Sequence, residues 1–146
     1  MPTDTDSQIE QLGVIRSYDP MAWLYDFYDA PMELLGPRRR RRSVIPQAYG
    51  ETLEIGVGTG KDLAHYRPDV ELSAVDGSAP MLRRPERRAA QLGRQVKLDL
   101  VSVTAMPSPD DAFDTTVATS VVCSIAAPVD GLRELGRVTK PHGQIL

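Results

Sequence analysis

Cysteine is nearly missing from this sequence. Cys123 stands alone, so no intrachain disulfide can form, and the reducing interior of a cell is the simplest setting. A packed thiol suits Cys123 better than a nucleophile, because no partner base is evident. Histidine is almost as scarce: His65 has no second ligand at metal-binding spacing and reads as a surface or packing residue, and no zinc or di-metal pattern occurs elsewhere. Long apolar runs are absent too. The longest, around residues 115–129, is diluted by Thr and Ser and falls short of the ~20 residues of a spanning helix. The first ten residues, MPTDTDSQIE, are acidic and polar, which is wrong for a secretory signal. A net charge of -3 offers no general attraction to nucleic acid. These absences leave a cytoplasmic protein whose contact with a membrane would be peripheral.

The 146 residues are one domain's worth, and with 41% hydrophobic and 25% charged residues a single packed core is expected. Positive charge is concentrated rather than abundant. Arg38 to Arg42 form one run, and Arg83, Arg84, Arg87 and Arg88 a second group. Five consecutive arginines cover every side of a helix, so a solvated helix is one reading of the run and a surface for anionic lipid headgroups is the other.

The most informative stretch is residues 52–62, TLEIGVGTGKD. Leu53 and Ile55 suit a strand buried on both faces, and Gly56, Gly58 and Gly60 strip the following turn of side chains so that a ligand can come close. Spacing excludes two phosphate motifs. GxGxxG requires glycine where this chain has Lys61, and GxxxxGK[ST] requires glycine at Ile55 and a hydroxyl at Asp62. Glu54, just before the glycines, is poorly placed for a pyrophosphate and well placed for a cationic ligand such as one with an ammonium group. A second apolar strand, residues 71–76, ends on Asp76, 20 residues after Gly56. A carboxylate there suits the side-by-side hydroxyls of a ribose.

EIGVGTGKD resembles motif I of the class I S-adenosylmethionine-dependent methyltransferases. Residues 76–82, DGSAPML, are similar to that family's DxSxxML segment, and AMPSPDDAFD at 105–114 to its ALPFPDxSFD. The pattern YDxxAxxYD, met by Tyr18, Asp19, Ala22, Tyr25 and Asp26, resembles the N-terminal cap of the ubiquinone and menaquinone methyltransferases and of bacterial phospholipid N-methyltransferases; VVCSIAAPVDGLRELGRVTKPHG at 121–143 resembles the phospholipid branch. The resemblance implies a Rossmann-like, doubly wound α/β domain with strand order 3-2-1-4-5 and a helical cap: a tail over 1–8, the cap over 9–50 and the core over 51–146. It implies S-adenosylmethionine as cofactor and S-adenosylhomocysteine as product. The cofactor residues it implies are Glu54, Gly56, Gly58, Gly60, Asp76, Gly77, Met81, Ser102, Val103, Thr119 and Ser120, with Tyr18 and Tyr25 positioning the acceptor.

Three departures from the family pattern stand out. Ser102 replaces an adenine-binding Asp, Pro85 falls inside the helix after Ser78 and should kink it or shift its start, and His142 replaces a glycine of KPGG. Strands are expected at 51–56, 71–76, 96–101, 115–122 and 143–146, with a first helix starting over 61–66 whose N-terminus faces the ligand. The last two strands of the usual fold are not in the sequence, so either the chain is a shortened form or another chain supplies the missing edge, and self-association through the uncovered strand is expected. The implied reaction is methyl transfer to a small molecule or a lipid headgroup, an amine such as phosphatidylethanolamine included. The alternative is a non-catalytic protein of the same descent that binds the cofactor or a partner.

Overall fold

The computed structural model describes residues 36–119 and 121–146, the side chains of Pro37 and Cys123 excepted. Tyr18, Tyr25, Ser120 and most of the expected cap lie outside the described residues.

Five parallel strands form one sheet in the order β3-β2-β1-β4-β5: β1 Glu51–Ile55, β2 Glu71–Asp76, β3 Val96–Leu100, β4 Phe113–Val117 and β5 Thr139–Ile145. The expected order is therefore the observed one. Among the described residues three helices of eight residues or more accompany it: α1 Pro37–Val44, α2 Ala79–Leu92 and α3 Pro128–Val138. Both sheet faces are covered, as the run of apolar strand residues requires. On one face Leu63, Tyr66, Leu72 and Ala74 pack with Ile45 and with Ala89 of α2; on the other, Leu53, Ile55 and Val75 pack with Leu135 and Val138 of α3. Strand alternation puts Glu54 between Leu53 and Ile55 on the face that holds Tyr66.

Several expected boundaries move. The helix expected from Lys61 is a single 3₁₀ turn, Lys61–Ala64, because the left-handed Gly60 feeds a chain that at once buries Asp62 and Leu63. So short a turn carries no useful helix dipole, and the argument for a helix N-terminus facing the ligand does not apply. The helix after Ser78 begins at Ala79 and runs through Pro85 without a break; Ser78 stands at its N-cap position but makes no side-chain cap there.

β4 is shorter than expected, ending at Val117, after which the chain turns into a short 3₁₀ segment, Val122–Ser124. β5 is longer, beginning at Thr139 and carrying Pro141, His142 and Gly143 as an irregularity: Phe113 pairs with Thr139, but Thr115 pairs with Gln144. Gly143 fits there because a Cβ would lie 2.8 Å from the Asp114 carbonyl oxygen. β5 is the last strand of the sheet, and Ile145 near its end is exposed.

Candidate functional site

The glycine turn leaves the carboxyl end of β1, whose neighbours are β2 and β4. In open α/β sheets this is the topological switch, where successive crossovers depart to opposite sides and a crevice opens. Gly56, Gly58 and Gly60 all have positive φ, between 53° and 74°. Gly56 and Val57 both donate to the Val75 carbonyl, at 2.8 and 3.2 Å, which ties the start of the turn to β2.

Asp76 closes one side of the crevice. Its Oδ2 accepts the Gly58 N–H and its Oδ1 the Ser78 N–H, each at 2.9 Å. Two backbone donors fix the plane of the carboxylate at the end of β2. Met81, in the first turn of α2, is half-buried, and its Cε lies 3.9 Å from where a Gly58 Cβ would stand. Gly77 is half-buried between Asp76 and the buried Ser78. The expected adenine side is a turn after β3: the Ser102 hydroxyl lies 3.0 Å from that of Thr104, and Val103 is buried in the α3-side core.

α3 holds the loop that follows, residues 105–111. The Arg137 guanidinium donates to the Met106 and Ser108 carbonyls and to Glu134 and Asp110, while Glu134 accepts the Met106 N–H. The hydrogen bonds from Arg137 hold the Glu134 carboxyl below its usual range.

Beneath the other side of the glycine turn lies a carboxylate pair. Glu54 and Asp62 are both buried, at 2% and 3% exposure. The Tyr66 hydroxyl donates to Glu54 Oε2 at 3.0 Å. Burial, chiefly, and then the neighbouring Asp62 push the Glu54 carboxyl well above its usual range, which favours its protonated form, and Glu54 shares a hydrogen bond with Asp62. Thr119, just past β4, donates its hydroxyl to Asp62 Oδ2. Arg41 of α1 places its Nε 2.7 Å from Asp62 Oδ1. Within the arginine run the side chains divide: Arg38, Arg39, Arg40 and Arg42 are exposed, and Arg41 is turned in to this pair.

The structure thus brings Glu54, Gly56, Gly58, Gly60, Asp76, Met81 and Thr119 to one edge of the sheet. It adds Asp62, Tyr66 and Arg41, which sequence reasoning had not assigned to the site. Asp62 was legible only as the wrong residue for a phosphate loop; its distance from Glu54 in the sequence hides that both point below the turn. Arg41 was masked by four identical neighbours. His65 is partly buried with its pKa lowered, mainly by that burial, and no metal-binding cluster occurs among the described residues. Nor is any helix among them long and apolar enough to cross a membrane.

The residues present fit S-adenosylmethionine in three respects. A fixed carboxylate suits the ribose, the missing side chain at Gly58 leaves open space beside that carboxylate while Val57 is turned into the core, and a buried acceptor, Asp62 Oδ1, receives no aligned hydrogen bond from its arginine partner.

Comparison with known proteins agrees. The methyltransferase domain family matches residues 53–146. The chain is 33% identical over 136 residues to a phosphatidylethanolamine N-methyltransferase of Cereibacter sphaeroides, covering 92% of this chain and 66% of that protein. It is 34% identical over 157 aligned positions to a malonyl-[acyl-carrier protein] O-methyltransferase of Halorhodospira halophila, covering 99% of this chain and 50% of the relative. The chain thus spans about half to two thirds of the length of these curated relatives. Among solved structures, a SAM-dependent methyltransferase from Aquifex aeolicus superposes with a TM-score of 0.69 at 20% identity, over 85% of this chain and 70% of that one, a likeness of fold.

Proposed function

The chain belongs to the methyltransferase domain family, and from that premise we propose that it transfers a methyl group from S-adenosylmethionine to an amine acceptor such as the phosphatidylethanolamine headgroup. The observation that carries the reading is the Asp76 carboxylate, fixed by the N–H groups of Gly58 and Ser78 beside the open space that Gly58 leaves. The amine is favoured by the similarity to a phosphatidylethanolamine N-methyltransferase and by the exposed Arg38, Arg39, Arg40 and Arg42, which suit an anionic lipid surface.

The cofactor supplies an activated methyl on a sulfonium centre whose departure leaves a neutral thioether. The protein's task is then mostly positioning, an effect that can contribute about 7 to 11 kcal/mol. In this reading Asp76, Gly77 and Met81 hold the nucleoside, Ser102 and Val103 lie on its adenine side, the glycine turn and Glu54 lie toward the methionine end, and Thr119 and Ser120 border the methyl donor. Tyr18 and Tyr25 orient the acceptor. Self-association through β5, the last strand of the sheet, belongs to the same proposal; a monomer by light scattering at micromolar concentration counts against it.

Calorimetric titration with S-adenosylmethionine, S-adenosylhomocysteine and NADH, followed by methyl-transfer assays on phosphatidylethanolamine vesicles, quinols and small amines, tests the function. Micromolar binding of the first two with turnover on the lipid supports it. Binding without turnover on any acceptor leaves a cofactor-binding module, and binding of NADH alone overturns the reading.

A further inference from the structure

The ion pair between Arg41 and Asp62 is unusual in where it lies. It is nearly enclosed, with side-chain exposures of 16% and 4%, and it sits at the switch between β1 and β4, beside Glu54 and Thr119. Asp62 shares one hydrogen bond with Glu54 and accepts another from Thr119, but its Oδ1, 2.7 Å from Arg41 Nε, receives no bond of acceptable direction from that guanidinium, and among the described residues it is the sole buried side-chain polar atom in that condition. An isolated buried carboxylate needs a counter-charge, and a buried pair is favourable only when its remaining lone pairs and protons are also satisfied. Close contact without alignment leaves room for a better donor. Arg41 also precedes residue 53, where the family match begins, so the matched domain does not itself supply this cation.

The α-amino-acid end of S-adenosylmethionine carries an ammonium and a carboxylate on one carbon. Burying such a zwitterion requires one charge of each sign, side by side. A guanidinium suits the carboxylate through its forked N–H groups, and a carboxylate suits the ammonium through charge-assisted hydrogen bonds. Arg41 and Asp62 present that combination in one place, and without a ligand each neutralises the other. Burial and then Asp62 disfavour the charged form of Glu54, which limits its competition for the ammonium.

We propose that the Arg41–Asp62 pair is the receptor for the α-amino-acid end of the cofactor, Asp62 taking the ammonium and Arg41 the carboxylate. The proposal rests on the reading of the site as one for S-adenosylmethionine. Binding exchanges the poorly aligned contact at Asp62 Oδ1 for an aligned one from the ammonium and leaves the net charge of the pocket unchanged. Arg41 is thereby both a ligand residue and the tie between α1 and the glycine turn.

The test compares two ligands by calorimetric titration. S-adenosylhomocysteine has the amino-acid end, and 5′-methylthioadenosine has the same adenosine thioether without it. Wild type, Arg41→Gln, Arg41→Lys, Asp62→Asn and the double variant Arg41→Gln/Asp62→Asn are compared, each checked for folding by circular dichroism. The double variant keeps the pocket neutral, so the comparison stands even where a single variant unfolds. The expected result is a loss of about tenfold to a hundredfold in affinity for S-adenosylhomocysteine in Arg41→Gln, Asp62→Asn and the double variant, with 5′-methylthioadenosine within about twofold of wild type. Arg41→Lys keeps part of the affinity. An equal loss for both ligands, or for neither, overturns the proposal. Wild-type protein that binds neither ligand overturns the underlying reading of the site as well, so the two failures are distinct.

Discussion

Gly60 and Pro85 meet at their backbones: a Cβ on Gly60 would lie 2.8 Å from Pro85 Cα and 2.9 Å from Pro85 Cβ. The last glycine of the turn is thus where α2 rests on the cofactor loop. Pro85, which local helix rules disfavour, is fully buried at this contact.

Gly60→Ala should therefore cost more than Gly93→Ala, although both glycines have positive φ, 74° and 62°. At Gly93 nothing lies within 4 Å of the added methyl, so only the left-handed backbone opposes it, about 1 kcal/mol. At Gly60 the same strain is joined by a clash with backbone that cannot rotate away, for a total of about 2 to 4 kcal/mol. Chemical denaturation of the two variants checks this. Equal losses would mean that α2 shifts freely off the turn.

Arg137→Ala should loosen the loop between β3 and β4. Arg137 joins the Met106 and Ser108 carbonyls to Glu134 and Asp110, and its removal strips Glu134 of its charged partner while Met106 N–H remains. A loss of about 2 kcal/mol is expected, since hydrogen bonds to charged groups are worth about 1.5 to 3 kcal/mol each and part of this network is exposed. For a chain of this size that is a fall in Tm of about 4 to 8 °C. A melting temperature within a degree of wild type would show that the loop is held by its apolar contacts alone.

Much of this architecture is legible in the sequence because it rests on local signals. The glycine spacing, the acidic end of β2 and the apolar strands around Leu53, Ile55, Leu72 and Val75 are all read within a few residues. The strand order itself came through the family likeness, not through periodicity. What is not legible depends on contacts between distant elements. Asp62 and Thr119 meet across 57 positions. Pro85 makes sense only against Gly60, and Arg41 is distinguished from Arg40 and Arg42 only by the direction its helix presents to the sheet.

Neutralising Arg38, Arg39, Arg40 and Arg42 together, with Arg41 retained, should weaken sedimentation with anionic vesicles while sparing binding to neutral ones. Each basic residue near an anionic surface contributes about 1 kcal/mol, or roughly fivefold in affinity. Neutralising the exposed Arg83 and Arg87 of α2 provides the control for overall charge. Unchanged binding after the four substitutions would return the run to a solvated helix; an equal fall per charge removed in the two sets would assign the effect to net charge and not to α1.

Glu54 gives the protein a pH dependence of definite sign. Burial, and then Asp62, raise its pKa well above the ordinary 4.5, so the folded protein keeps a proton that the unfolded chain releases. As pH rises from about 4.5, release favours the unfolded state, and stability falls until the raised pKa is passed, beyond which the penalty is constant. Glu54→Gln removes this titration while keeping an acceptor for the Tyr66 hydroxyl and a donor for Asp62. The variant should match wild type near pH 4.5 and become progressively more stable than it toward pH 8. His65 works in the opposite direction, because its pKa is lowered from 6.5 and stability rises with pH up to that value, but it is common to both proteins and drops out of the difference. The lowered carboxyls of Asp114 and Glu134 change stability only below this window. Urea denaturation of both proteins at four pH values measures the difference, and parallel curves would mean that Glu54 is charged in the folded state.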